Sequence, residues 1–385
     1  MNIKILNSIT EITPEGWSKL ANDGFPFTNH AFLHALETTR CLGQRTGWGP
    51  TYLTAWSDSE LIGVMILFVK SNSYGEYIFD FSWAQAHENM GLRYYPKQVS
   101  AIPFTPATGS KFLLHSSLSI EKKAEVSHLF IQAAHELGLK FHASSFHSLF
   151  IPATELSVFE RAGLFIRHSY QFHWRNRGYL NFEDFLNQLK SKRRNEIRRE
   201  RRQALESGVQ ISRLTGADLT PEHADMMYQF YLSTIDKRMG QNYLTLDFFK
   251  QVFSTMSHQI LLNIATNSDG RPVAGALNYF SGSALFGRNW GCLEEYKALH
   301  FELCYYQGIE FAIEKRIELF EAGAQGEHKF QRGFLPALTY SAHRIADPRL
   351  SEAVIEFVEN EKLQIAALFA EYAEHSPFAR TESPV

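Results

Sequence analysis

The chain has 385 residues, of which 44% are apolar and 21% charged, and its formal net charge is −3. These ordinary globular values exclude collagen-like, coiled-coil and intrinsically disordered proteins, and they exclude a protein that is basic throughout. A local basic patch is still compatible with them. At roughly 150 residues per domain, the length predicts two to three domains.

Cysteine usage and hydropathy indicate the compartment. The three cysteines, Cys41, Cys292 and Cys304, form no CxxC pair, so neither a disulfide framework nor a thiolate metal site is expected. The first residues contain no apolar segment typical of a secretory signal. The longest apolar run, residues 61–69, is too short to cross a bilayer as a helix and predicts a buried strand. We therefore expect a cytoplasmic protein without a membrane span.

The first part of the chain alternates helical and strand patterns, which is typical of an α/β domain. Residues 52–56 and 61–70 are separated by a polar turn and predict a hairpin. Residues 120–138 place apolar side chains on one stripe and predict an amphipathic helix. Further strands are predicted at residues 76–81, 98–104 and 140–145. We assign residues 1–180 to this first domain.

A basic segment follows, and we assign residues 181–208 to a connecting helix. Residues 190–203 carry eight basic and two acidic side chains, and a Ser-Gly pair at 207–208 marks the end of the helix. Glu196 and Glu200 are expected to pair with basic neighbours one turn away. Because arginine suits bidentate phosphate contacts, the segment is either a phosphate-binding surface or a solvated helix. The candidate donor-binding residues in this segment are Lys192, Arg194, Arg198, Arg199 and Arg202.

The next part, residues 209–346, predicts a second α/β domain. Three strand patterns separated by polar turns predict an antiparallel meander at residues 260–266, 273–280 and 284–290. Residues 299–316 predict a helix, and a glycine-bearing loop at residues 321–336 follows a short strand. We expect residues 347–375 to form a C-terminal helix that packs on the core. Residues 376–385 predict a disordered tail.

The order of meander, helix and closing strands resembles the GNAT acyltransferase fold. Several stretches are more specific and resemble the FemAB-like subgroup of that superfamily, whose members are predicted N-acyltransferases linked to peptidoglycan biosynthesis or recognition. The stretches that resemble the subgroup are residues 75–109, 173–179, 287–292 and 300–307. Residues 191–212, 230–249 and 320–334 resemble FemAB-type aminoacyltransferases more generally. The resemblance implies an α/β fold of tandem GNAT-like domains, each a mostly antiparallel mixed sheet flanked by helices.

The resemblance also implies a reaction. An acyl or aminoacyl group would pass from an activated donor to an amine by direct attack, without a covalent enzyme intermediate. The donor would be a CoA thioester or an aminoacyl-tRNA, with no tightly bound cofactor, and the acceptor a small-molecule or cell-wall-precursor amine. The glycine-rich pyrophosphate loop of CoA-using enzymes is missing at residues 291–299. The alternative is therefore a non-catalytic GNAT scaffold that recognises a cell-wall precursor or nucleic acid.

The glycine-bearing loop contains the candidate catalytic residues. We expect Glu327 or His328 to take the amine proton, and Lys329 or Arg332 to stabilise the oxyanion or a phosphate. The family commonly has lysine where this chain has Arg332, and the two cations are not equivalent. Gly333, in the Gly-Phe turn that follows, joins the donor-binding candidates. The alternative is a solvated loop.

The helix at residues 299–316 adds further candidates. Tyr305 is expected to protonate a thiolate leaving group, and His300, Glu302 and Trp290 are candidate pocket residues with core packing as the alternative. His300 and Cys304 share a helical face but lack a third ligand, so no metal is expected. In the first domain, the remaining pocket candidates Thr105 and Thr108 belong to a turn in which Gly109 is expected at positive φ.

Overall fold

The structure, a computed structural model, describes residues 1–21, 23–237, 240–324 and 326–379. The chain divides into two units: Met1–Tyr170 with Leu338–Leu368, and Gln171–Ala337 with the chain from Phe369 onwards. The basic helix therefore belongs to the second unit. Residues 338–346, which the sequence assigns to the second domain, belong to the first unit.

Helices and strands follow one another along the whole chain. Up to residue 175 they are β1 (Asn2–Leu6), α1 (Pro14–Ser18), α2 (His30–Thr38), β2 (Trp48–Ser57), β3 (Glu60–Lys70), α3 (Phe81–Asn89), β4 (Lys97–Ser100), β5 (Phe112–Leu114), α4 (Ile120–Lys140), β6 (Ser145–Ile151), α5 (Leu156–Arg161) and β7 (Phe165–Arg175). The remaining elements are α6 (Phe182–Asn187), α7 (Ser191–Glu206), β8 (Gln210–Thr215), α8 (Pro221–Lys237), α9 (Leu246–Thr255), β9 (Ile260–Thr266), β10 (Pro272–Phe280), β11 (Ala284–Cys292), α10 (Leu299–Phe301), α11 (Gln307–Glu314), β12 (Leu319–Glu321), β13 (Leu335–Ile345) and α12 (Pro348–Glu374).

In the first unit the strand order is β1-β2-β3-β4-β6-β13, with β5 beside β3. The pair β4–β6 is parallel, and the other pairs are antiparallel. Ser119 caps helix α4, since its hydroxyl accepts from the N–H of Lys122, and the helix buries Val126 and Phe130 against the sheet. Residues 340–345 of β13 pair with β6, which explains why this strand belongs to the first unit.

The predicted strand at residues 76–81 is wrong, because this segment is irregular and carries buried charge. Lys97 is fully buried and donates to Glu76 at 2.8 Å, and it also pairs with Asp80. Lys70 donates to the carbonyl of Tyr74 at 3.1 Å. Ion pairs and hydrogen bonds to β3 and β4 therefore hold the segment in place of strand pairing. The strand predicted at residues 140–145 is also wrong, because α4 continues to Lys140 and β6 begins at Ser145.

In the second unit the strand order is β7-β12-β11-β10-β9-β8. The predicted meander is confirmed as β9, β10 and β11, and β12 runs parallel to β11. The helix predicted at residues 299–316 is interrupted by a π-helical turn, Glu302–Tyr306. This turn widens the helix, and the buried Asn263 donates to the carbonyl of Leu303 at 2.7 Å.

The tail prediction is wrong for residues 376–379. The N–H of Lys190 donates to the carbonyl of Pro377 at 2.9 Å, and the N–H of Ala379 donates to the carbonyl of Gln188 at 2.8 Å. Phe378 packs beside Phe185, with the ring centroids 6.5 Å apart. Residues 380–385 lie outside the described residues.

Candidate active site

The candidate site lies where β11 and β12 separate in the second unit. The two strands pair only over residues 284–286 and 319–321, whereas β11 continues to Cys292 beside β10. Beyond residue 286, the edge of β11 that faces away from β10 therefore has no strand partner within the described ranges. Side chains from α10, the π-helical turn and the 3₁₀ turn Glu327–Arg332 gather near this edge.

Four of the predicted site residues come together at this edge. The rings of Trp290 and His300 are 5.1 Å apart, and His300 lies 5.5 Å from Tyr305 and 6.1 Å from His328. The hydroxyl of Tyr305 is 2.8 Å from Nε2 of His328. These residues come from β11, α10, the π-helical turn and the 3₁₀ turn, so the tertiary fold, and not the local sequence, assembles the group.

Electrostatics sets the protonation of the Tyr305–His328 pair. Partial burial and the nearby cations Arg332 and Lys329 hold the pKa of His328 below its usual value. Burial raises the pKa of Tyr305 well above its usual value. Near neutral pH the imidazole is therefore neutral and the phenol protonated, so the pair can accept a proton and donate one.

Lys329 directly follows His328 in the 3₁₀ turn and is only 2% exposed. Its Nζ donates to the carbonyl of Gly323 at 2.7 Å. Burial lowers the pKa of Lys329 to about 8. Burial and the cations Arg175 and Lys329 lower the pKa of the neighbouring His173 to about 3. Lys329 is thus a desolvated ammonium that loses its charge near the upper end of physiological pH.

Arg332 does not face an open site. Its Nη2 donates to Oε1 of Glu200 at 2.5 Å and its Nε to Oε2 at 3.1 Å, while Nη1 donates to the carbonyl of His328 at 2.7 Å. The guanidinium also lies 3.5 Å from the ring centroid of Phe301. The expectation that Arg332 binds the oxyanion is therefore corrected, since its charge is committed to Glu200. The expected pairing of Glu200 within its own helix is wrong for the same reason.

Two other candidates also have structural partners. Glu302 is fully buried and accepts from Arg201 at 3.0 and 3.1 Å and from Gln307 at 2.7 Å, so it is a counter-ion and not a pocket wall. The N–H of Gly333 donates to the carbonyl of Phe330 at 3.1 Å, which leaves it unsuited to a phosphate. Gly333 has a φ of 87°, a conformation that glycine adopts without strain. Glu327 is exposed at the start of the 3₁₀ turn.

The basic helix α7 is largely neutralised by the protein itself. Arg198 pairs with Glu183, and Nε of Arg202 lies 3.9 Å from Glu206. Arg194 reaches the side-chain oxygen of Asn187 at 3.4 Å. Lys192 and Arg199 are exposed, and the side chain of neither forms an ion pair or hydrogen bond within the part of the chain that the structure describes. The surface available to an anion is therefore smaller than the sequence indicates.

Thr105 and Thr108 belong to the first unit and do not join this group. The hydroxyl of Thr105 is buried and donates to the carbonyl of Pro103 at 2.9 Å. Gly109 does not have the positive φ that the sequence suggested. A Cβ at Gly109 would lie 2.5 Å from the ring of Phe25, so close approach explains this glycine. The turn is thus held by its own contacts.

Neither a metal centre nor a membrane span is found among the described residues. They contain no group of three or more His, Cys, Asp or Glu side chains placed to hold a metal ion. No helix within these ranges has the length and apolar character needed to cross a membrane.

The fold is that of a tandem GNAT-like protein of mixed α/β class, as the sequence predicted. The chain belongs to the FemAB-like family, described as peptidoglycan biosynthesis/recognition, which matches residues 8–380. A comparison with curated proteins finds no match.

Solved structures share this fold at low sequence identity. FemX is 12% identical, with a TM-score of 0.53 over 92% of this chain and 100% of its own. L-PGS from Bacillus licheniformis is 10% identical, with a TM-score of 0.54 over 90% of this chain and 97% of its own. The C-terminal domain of a putative lysylphosphatidylglycerol synthetase from Agrobacterium fabrum is also 10% identical, with a TM-score of 0.54 over 89% and 95%.

Proposed function

We propose that this chain transfers an acyl or aminoacyl group to an amine, with Tyr305, His328 and Lys329 as the catalytic residues. The observation that carries the proposal is the 2.8 Å contact between the Tyr305 hydroxyl and Nε2 of His328, beside the unpaired edge of β11. This contact joins the neutral imidazole of His328, a base, to the protonated phenol of Tyr305, an acid. The buried ammonium of Lys329 belongs to the residue next to His328. Direct aminolysis of an activated acyl donor needs these three groups.

In the proposed reaction, the Tyr305–His328 pair accepts one proton from the amine and donates one proton to the leaving group. The amine attacks the donor carbonyl, a C–N bond forms, and the amine proton passes to Nδ1 of His328. The hydrogen on Nε2 moves to Tyr305, which gives its own proton to the departing sulfur or oxygen as the donor bond breaks. The ammonium of Lys329 stabilises the negative charge that develops on the carbonyl oxygen. No covalent enzyme intermediate is required.

The family description supports an amine on a peptidoglycan precursor as the acceptor. On the donor side, Lys192 and Arg199 remain available for phosphate. They are seven residues apart on α7, so they lie on one face about 10 Å from each other. Whichever donor binds would stabilise the protein thermally by mass action, and binding of an aminoacyl-tRNA would in addition depend markedly on salt. Thermal shifts with each donor, repeated on Lys192→Gln/Arg199→Gln, separate the two.

The transfer assay uses the full chain, panels of CoA thioesters and aminoacyl-tRNAs, and amine-bearing cell-wall precursors. We expect Lys329→Met, His328→Gln and Tyr305→Phe each to lower kcat by about a hundredfold or more. Lys297→Met, which alters an exposed lysine, serves as the control and should retain activity. Wild-type rates in Lys329→Met would contradict the proposal. Precursor binding without transfer from any donor would favour a binding protein instead.

A further inference from the structure

Glu200 is a buried carboxylate on a helix that is otherwise strongly basic. It lies on α7, and its side chain accepts from two nitrogens of Arg332 and from the hydroxyl of Tyr306. Arg332 and Glu200 are 132 residues apart in the chain. The sequence resemblance points to the loop of Arg332 but not to this partner on α7.

Arg332 connects Glu200 to the backbone of the candidate site. Its Nη1 donates to the carbonyl of His328 at 2.7 Å, and its guanidinium lies over Phe301. Because one planar group makes these contacts together, its orientation fixes the peptide of His328 relative to α7 and the π-helical turn. The imidazole of that residue is the group that meets Tyr305.

We propose that Glu200 is a positioning residue for His328: through Arg332 it fixes the backbone of His328 and so holds the imidazole against Tyr305. The proposal deepens the proposed function and rests on it for its catalytic meaning. Glu200 itself touches none of the reacting groups.

The pKa of His328 is a readout of the Glu200–Arg332 pair. A purely structural role of Glu200 does not predict a change in this pKa. Arg332 is one of the cations that lower the pKa of His328. A change in the charge or place of Arg332 is therefore detected at His328, whereas a general loss of packing elsewhere is not. This readout needs no substrate.

The experiment measures the pKa of His328 by NMR in the substrate-free full chain labelled at histidine, with the signal assigned from His328→Gln. We expect Glu200→Gln to lower this pKa further, by at least about half a unit, because the charge of Arg332 is then no longer offset by a carboxylate. Glu206→Gln, at an exposed position on the same helix, is the matched control and should leave the pKa unchanged. An unchanged pKa in folded Glu200→Gln overturns the proposal.

Loss of one partner leaves an uncompensated buried charge, which lowers the stability of Glu200→Gln. The double variant Glu200→Gln/Arg332→Gln leaves no unpaired buried charge. It should raise the pKa of His328, because a neighbouring cation is removed, and weaken the Tyr305–His328 contact in NOE spectra. An unchanged Tyr305–His328 contact in this variant overturns the proposal even if the pKa of His328 rises, because loss of the cation alone accounts for that rise. Absence of transfer by the wild-type protein with every donor would overturn the proposed function, whereas the NMR results would still stand.

Discussion

Lys329 shows at the residue scale how burial changes the chemistry of a side chain. An exposed lysine keeps its charge throughout physiological pH, whereas burial lowers the pKa of Lys329 to about 8. His328, the preceding residue in the same turn, is held neutral by partial burial and by neighbouring cations that lower its pKa. Two titrating groups with different charges at neutral pH therefore occupy one site.

These pKa values predict a bell-shaped dependence of kcat on pH. The rate should rise as His328 loses its proton below pH 6.5, because only the neutral imidazole accepts the amine proton. It should fall as pH rises through about 8, because Lys329 then loses the charge that stabilises the oxyanion. Lys329→Arg should remove the falling limb, since arginine stays charged. Transfer assays from pH 5 to 10 measure kcat for the wild type and for Lys329→Arg. If kcat of Lys329→Arg still falls near pH 8, a group other than Lys329 causes the fall.

His173 makes a separate prediction about stability. Burial and two nearby cations lower the pKa of His173 to about 3, while an unfolded histidine titrates near 6.5. Unfolding between these values takes up a proton, so this residue makes the protein less stable as pH falls. His173→Gln should remove about 1.1 kcal/mol of this loss per pH unit between pH 6.5 and 5. Urea unfolding of both proteins from pH 6.5 to 5 measures the difference, and parallel pH dependences would contradict it.

The sequence predicts candidate catalytic residues, and which of them are free to act depends on contacts that the sequence does not show. A loop that follows a strand and carries His328, Lys329 and Arg332 is a reasonable place for catalysis. Sequence spacing could not show that Glu200 neutralises Arg332, because the two residues are far apart in the chain. It also could not show that Glu302 is fully enclosed by partners.

At the scale of elements, the contact between α8 and β11 depends on one glycine. A Cβ at Gly291 would lie 1.6 Å from the carbonyl oxygen of Phe230 on α8. The neighbouring Thr234 donates from its hydroxyl to the carbonyl of Trp290 at 2.6 Å. The helix therefore rests directly on the backbone of the strand that borders the candidate site.

Gly291→Ala should destabilise the protein because backbone, and not a flexible side chain, would have to move. Overpacking of this kind costs about 1–3 kcal/mol. Gly282→Ala is the matched control, since a Cβ there meets no atom within 4 Å among the described residues. Thermal and urea unfolding compare the two variants. Equal stability of Gly291→Ala and the wild type would contradict the close contact.

The elements that the sequence predicted well are those with regular patterns. The amphipathic helix predicted at residues 120–138 is α4, which ends two residues later, and the three meander strands agree within two residues at each end. The sequence predicts a strand at residues 76–81, before α3. Buried charges fix this segment instead, and a local sequence pattern does not reveal a partner such as Lys97.

At the scale of the whole molecule, neither unit is a continuous stretch of sequence. The first unit needs Leu338–Leu368 in addition to Met1–Tyr170. The added segment supplies the β13 pairing with β6 and buries Leu350, Val354 and Val358 against a cluster that includes Trp83. Its removal would expose that cluster and an edge of β6.

A fragment of residues 1–170 should therefore fail to unfold cooperatively. The same residues joined by a Gly-Ser linker to residues 338–368 should recover a cooperative transition, because the missing strand and helix face are restored. Circular dichroism during heating measures both fragments. Cooperative unfolding of residues 1–170 alone would show that the added segment is dispensable.

The sequence by itself determined the fold class, the order of most helices and strands, and the family. These follow from short-range periodicity, turn residues and stretches that can be compared position by position. The tertiary structure alone decided which cations are free, which residues meet at the end of the β11–β12 pairing, and which unit receives β13. The physical reason is that buried charges and strand edges are satisfied by partners distant in sequence, and only the path of the chain brings those partners together.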